Sequence, residues 1–86
     1  MQGDADALHR GVTVLSYGRS MIHEICNQLD QAVKDAGSSN SGGRFKKCTN
    51  RISESVKKMR DAAEDLARVG QTMERLEYII RNMDGE

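Results

Sequence analysis

Residues 45–83 read FKKCTNRISESVKKMRDAAEDLARVGQTMERLEYIIRNM, and this stretch decides the fold. Two sets of residues recur in it every seven positions, and the second set follows the first by three residues. The first set is Phe45, Ile52, Met59, Leu66, Met73 and Ile80. The second set is Cys48, Ser55, Ala62, Val69, Leu76 and Met83, in which only Ser55 is polar. Because the chain contains no proline, this pattern predicts one long helix that keeps an apolar seam against another helix.

A second heptad pattern precedes it and predicts a helix over residues 5–36. The residues of its first set are Leu8, Leu15, Ile22, Leu29 and Ala36, and those of its second set are Gly11, Gly18, Ile25 and Ala32. Gly37 lies where a left-handed cap would end this helix. Since an interior glycine costs about 1 kcal/mol relative to alanine, we interpret Gly11 and Gly18 as positions where a neighbouring helix comes close. A break near Gly18 is the alternative.

The linker between these helices, residues 37–43, reads GSSNSGG, and the second helix is predicted over residues 44–83. Because a short loop makes two long helices antiparallel neighbours, the sequence predicts one all-α domain, a coiled-coil-like antiparallel two-helix hairpin. A turn centred on Gly42 places Gly11 opposite Met73, Leu15 opposite Val69, and Cys26 opposite Lys58. Cys26 and Cys48 are then ~15 Å apart along the rod, which excludes a disulfide within the chain.

Apolar residues continue beside the predicted seam, among them Val14 and Met21 in the first helix and Val56 and Ile79 in the second. Two helices alone make a thin core, and a wide apolar stripe usually marks a protein interface. We therefore predict a helical protein partner, in a heterodimer or a homodimer, that completes a four-helix bundle. The predicted partner-binding residues are Val12, Leu15, Met21, Ile22, Val56, Met59, Leu66, Met73, Ile79 and Ile80.

Residues 44–60 carry a run of cations with one acid, Glu54; the cations are Arg44, Lys46, Lys47, Arg51, Lys57, Lys58 and Arg60. Their place near a helix N-terminus is unfavourable for the helix dipole. The preferred interpretation is a solvated face partly paired with Glu24, Asp30 and Asp35. Attraction to an acidic partner or to an anionic membrane surface is the alternative. No nucleic-acid partner is expected, because aromatic residues for base stacking are not interleaved with the cations.

The sequence predicts neither catalysis nor metal binding. His9 and His23 are separated by ~21 Å along one helix and cannot share a metal ion. The carboxylates have no nucleophile beside them, and neither a phosphate-binding glycine loop nor a zinc spacing is present. We predict a non-enzymatic protein with no catalytic residues, no metal site, no cofactor and no small-molecule substrate. Equal totals of 13 basic and 13 acidic residues give it no net charge.

The turn and the tail resemble the WXG-motif family of small type VII secretion proteins, and also the tryptophan-lacking helical partners of type VII toxins. Gly42 and Phe45 match the glycine and the following aromatic of the family's turn, while Asn40 stands in place of its tryptophan. Tyr78 matches the tyrosine of the family's Tyr-x-x-x-Asp/Glu export signal, with Asn82 in place of the acid. The resemblance implies a targeting factor, chaperone-like partner or co-secreted subunit of a type VII substrate.

The N-terminal sequence and the family resemblance also predict the cellular location of the protein. The N-terminal sequence lacks the basic and apolar regions of a signal peptide. We expect a cytoplasmic protein, and the resemblance implies export without a cleavable signal peptide. Two other functions remain alternatives: a general coiled-coil adaptor or scaffold, and a structural subunit of the type III needle kind.

Overall fold

The protein consists of two long helices, seen in a computed structural model that describes residues 2–37 and 42–84. Helix α1 spans Gln2–Gly37 and helix α2 spans Gly43–Asp84. Together they form a rod of 67 × 15 × 11 Å. Asp4 places a negative charge in the first turn of α1, where it is favourable for the helix dipole, whereas α2 begins without an acidic residue in its first turn.

The two helices are antiparallel, and the predicted helical hairpin is confirmed. Contacts run from Gly37 with Phe45 beside the turn to Asp6 with Arg81 at the open end. A Cβ built on Gly11 would lie 2.5 Å from Met73 Cε, so the predicted pairing of these two residues is present. A Cβ on Gly70 would lie 4.0 Å from Leu15 Cδ1, one residue beyond the expected Val69.

The interior is built from small residues at positions that the sequence analysis placed beside the seam. The buried residues are Ala5, Cys26, Val56, Ala63 and Gly70. They belong to one heptad series, called here the inner series, which in full comprises Ala5, Val12, Arg19, Cys26 and Val33 in α1 and Thr49, Val56, Ala63, Gly70 and Glu77 in α2. Small side chains let the two helices approach closely, which is why this series faces inward.

The two predicted seam sets behave differently. The first set of each helix, called here the middle series, is half-buried at most positions, including Leu15, Ile22, Leu66 and Met73. The second set, called here the outer series, was predicted to be internal. This holds for Gly11, which is half-buried beside Met73, but it is wrong for the large members of the series. Ile25, Val69, Leu76 and Met83 are 43–54% exposed. The seam within the chain is therefore formed by the inner and middle series, whereas the prediction was the middle and outer series.

This rotation of the seam determines the burial of the cysteines. Cys48, predicted to lie in the seam, is exposed, whereas Cys26, which belongs to neither predicted seam set, is buried. The Cys26 thiol donates a weak hydrogen bond to the Val56 carbonyl at 3.8 Å, two residues before the expected neighbour Lys58. Both cysteines are free thiols. We therefore expect Cys48 to be the more reactive thiol, because its side chain is accessible.

Gly18 and Gly37 in α1 also depart from expectation. The helix is continuous through Gly18, where an added Cβ would meet nothing within 4 Å, so no helix of this chain packs closely there. Gly37 is still helical and has no positive φ, so it is not a left-handed cap. Instead the Phe45 ring packs against it, 3.5 Å from where a Cβ would lie.

Candidate partner-binding face

One side of the hairpin exposes a continuous apolar stripe along both helices. We call it the open face: the outer series of α1 and α2 together with the exposed middle-series residues Leu29 and Ile52, which are 38% and 41% exposed. Its remaining large members are Ile25, Val69, Leu76 and Met83. Each outer residue of α2 directly precedes an inner one, as Val69 precedes Gly70, so the stripe runs beside the seam for the length of the helix.

The other side of the seam is polar, and we call it the ion-pair face. Arg60 and Arg81 each follow an inner residue by four positions, which places them on the flank away from the outer series. Arg60 Nη2 donates to Asp30 Oδ2 at 2.8 Å and to Asn27 Oδ1 at 3.2 Å, across the two helices. Among the residues that the structure describes, the cross-helix polar contacts thus lie on one side of the hairpin.

A second polar cluster lies at the open end of the hairpin, which is the end opposite the turn. Arg81 donates to Glu77 Oε2 at 2.9 Å and to Asp6 Oδ1 at 3.1 Å, and His9 Nδ1 lies 3.3 Å from Glu77 Oε1. The hydrogen bond from Arg81, together with His9, holds the pKa of the Glu77 carboxyl below its usual value, although partial burial opposes this shift. The same bond, together with Asp6, raises the pKa of Arg81. Both helix ends are thereby tied together.

The two histidines lie in different environments. His9 is exposed but contacts Glu77, and His23 is half-buried.

The basic segment is paired less than expected. Asp30 has its predicted cationic partner, Arg60. The other two acids accept from neighbouring amides on their own helix: Glu24 from Gln28 at 3.0 Å and Asp35 from Gln31 at 2.9 Å. Within residues 2–37 and 42–84, six cations of the segment have no ion-pair partner, namely Arg44, Lys46, Lys47, Arg51, Lys57 and Lys58.

The predicted partner-binding residues divide into two groups. Met21 and Ile79 are each 47% exposed and therefore accessible. Val56 is buried at 3% exposure, and the other seven are half-buried between the helices: Val12, Leu15, Ile22, Met59, Leu66, Met73 and Ile80. Residues that the sequence analysis assigned to the internal seam, such as Val69 and Leu76, are the ones that lie open.

The residues of the turn and tail motifs are placed as follows. Asn40 lies outside the described residues. Gly42 is exposed just before α2, and its carbonyl accepts from the Lys46 N–H at 3.0 Å, while Phe45 is half-buried. Tyr78 is 68% exposed and Asn82 is exposed as well, so both side chains are accessible for recognition.

A shallow groove of about 230 Å³, which the sequence analysis missed, lies over Gly70. It exists because Gly70 has no side chain to fill the space between Leu15 and Leu66. Arg19 and Glu74 line it as well.

The described part of the chain holds no group of three His, Cys, Asp or Glu side chains placed to bind a metal ion. Neither described helix is both long and apolar enough to cross a membrane. The chain matches no family model, no curated protein and no solved structure.

Proposed function

We propose that this chain is a non-enzymatic binding protein that contributes its two helices to a four-helix bundle with a helical protein partner. The observation that carries this proposal is the open face. Large side chains such as Val69, Leu76 and Met83 lie about half exposed in one stripe, and monomeric proteins rarely leave such a contiguous stripe uncovered. A helix pair packed on it would bury these side chains as the core of a bundle.

We further propose that the partner is a type VII secretion substrate, for which this chain is a targeting factor, chaperone-like partner or co-secreted subunit. Support comes from the residues of the family resemblance, Gly42, Phe45 and Tyr78. Tyr78 lies off the open face at 68% exposure, so a bound partner would leave it accessible to an export machine.

The test separates complex formation from export. Val69→Glu places a charge in the stripe, and we expect it to weaken the complex by at least about a hundredfold, because a carboxylate would be buried without a partner. Ser53→Glu is the matched control, since it adds the same charge to the ion-pair face of α2. Tagged variants are expressed in the native host, and the co-purified protein is identified by mass spectrometry and tested for helicity.

Tyr78→Ala should leave the complex intact and abolish export of the partner in a secretion assay. If Val69→Glu and Ser53→Glu retain the partner equally, the open face is not the binding site. If the complex forms but the partner is exported normally with the Tyr78→Ala variant, the protein is a general adaptor and the type VII assignment is wrong. Self-assembly into long polymers would favour a needle-type subunit.

A further inference from the structure

Three cations form a line along the edge of the open face. Arg44, Arg51 and Lys58 recur every seven residues, and we call them the basic ridge. Each precedes an outer-series residue by four positions, respectively Cys48, Ser55 and Ala62, so the ridge runs beside the stripe over ~21 Å. Because these three outer residues are small, a helix docked there would come within reach of the ridge.

The ridge is not explained by the hairpin itself. All three side chains are exposed, and none has an ion-pair partner within residues 2–37 and 42–84. Arg44 lies in the first turn of α2, where a positive charge opposes the helix dipole, and Arg51 and Lys58 add like charges at intervals of ~10 Å. This arrangement destabilises the free chain. An external anionic partner that neutralises the positive charges would account for it.

A second copy of this chain does not supply those anions. The seven-residue spacing of the ridge continues along α2 as Asp65, Thr72 and Ile79. A second copy docked with its turn at the opposite end would present these residues to the ridge. Asp65 is the single carboxylate among them, and Arg68 already contacts it at 2.5 Å. With turn ends together, the copy would present the corresponding line of α1, in which Asp35 is the single acid. Either dimer leaves most of the ridge unpaired.

We propose that the turn-proximal half of the open face binds an acidic amphipathic helix of a different protein. Its apolar stripe packs on the outer series, and carboxylates at seven-residue spacing pair with the basic ridge. This inference rests on the proposed function and specifies the chemistry of the partner. Half of a rod face of 67 × 15 Å is about 500 Å², against about 800 Å² per partner in a standard interface, so the acidic helix covers only part of the surface that the whole partner would use.

Two synthetic peptides of about three heptads, helical and with identical leucine stripes, test the charge requirement. One carries glutamate at the flanking seven-residue positions and the other carries lysine there. Each is titrated with the full chain at about 50 mM salt, where surface charges are weakly screened, and binding is followed by fluorescence anisotropy. We expect the glutamate peptide to bind at least about tenfold more tightly.

Charge reversal of the ridge, by Arg44→Glu, Arg51→Glu and Lys58→Glu together, should invert this preference in favour of the lysine peptide. The matched control reverses Lys46, Lys47 and Lys57 to glutamate, which changes the net charge equally in the same segment but on other faces of α2. Its preference should remain for the glutamate peptide and change by less than about threefold. Circular dichroism verifies that both variants are helical.

The proposal is overturned if both peptides bind equally, or if the control reversal acts as strongly as the ridge reversal. It is also overturned if vesicles with phosphatidylserine bind through the ridge while neither peptide binds. These results are distinct from failure of the proposed function. A partner that needs Val69 but is indifferent to the ridge retains the binding function and refutes only the acidic helix.

Discussion

Val56→Ala and Val69→Ala form a matched pair that tests which heptad series lies inside the hairpin. Both residues are valines in the same helix, but Val56 is 3% exposed and Val69 is 49% exposed. Alanine is compatible with a helix at both positions, so the two changes differ mainly in the environment of the removed methyl groups. The sequence pattern alone predicts the larger loss at Val69; the structure predicts it at Val56.

The expected magnitudes follow from burial. Valine to alanine removes two carbons at about 0.8 kcal/mol each when fully buried, and the cavity left behind raises the cost to roughly 2.5 kcal/mol. The better helix propensity of alanine returns about 0.5 kcal/mol. Val56→Ala should therefore lower the free energy of unfolding by about 2 kcal/mol. Val69 is already half exposed, so its loss is about 0.3 kcal/mol.

Thermal and urea unfolding, followed by circular dichroism at low micromolar concentration, measure the difference. A loss of about 2 kcal/mol lowers the Tm of a domain of this size by roughly 10 °C, whereas Val69→Ala should shift it by about 1–2 °C. With the helical partner bound, Val69→Ala should become more costly because its environment is then apolar. If Val69→Ala destabilises the free chain as much as Val56→Ala, the inner series is misassigned.

Two further predictions concern the open end and the cysteines. The lowered pKa of Glu77 favours the charged carboxylate in the folded state, so the stabilisation from Glu77 is complete above pH 4.5 and is lost as the pH falls through the lower folded pKa. Glu77→Gln should therefore reduce the loss of folding stability on acidification. Unfolding curves between pH 6 and about 3 that keep the wild-type pH dependence in this variant would contradict the prediction. Thiol titration of the native chain should show a fast and a slow phase; Cys48→Ser should remove the fast phase, and loss of the slow one instead would show that Cys26 is the exposed thiol.

The sequence was sufficient to predict the helices, the antiparallel arrangement and an approximate register. Heptad spacing in both halves and a glycine-serine linker allow few other folds. The contact of Gly11 with Met73 was predicted because a register needs only the turn position and the helix lengths. The middle series was also identified correctly as lying between the helices, because its large apolar residues form the centre of the apolar stripe.

The rotation of the seam was not predictable from hydrophobicity. Apolar residues occupy three heptad series, so two adjacent seams compete for the inside. The outer series contains the larger apolar side chains, such as Leu76 and Met83, whereas the inner series includes Arg19 and Glu77. Close packing nevertheless favours the inner series, because Ala63 and Gly70 let the helices approach and the charged residues reach solvent at the edge. A ranking by hydrophobicity does not include this steric effect.

The small size of the buried residues has a consequence for the amount of protein in a cell. A core built on Ala5, Cys26, Ala63 and Gly70 removes little apolar surface from water, so the free hairpin has little stability in reserve. Under the proposed function, binding of the helical partner would then add stability in proportion to the logarithm of partner concentration. Chains made in excess over the partner would open more often and be degraded by proteases. The partner's abundance would thereby set the level of this protein, keeping the two subunits in equal numbers without regulation of their synthesis.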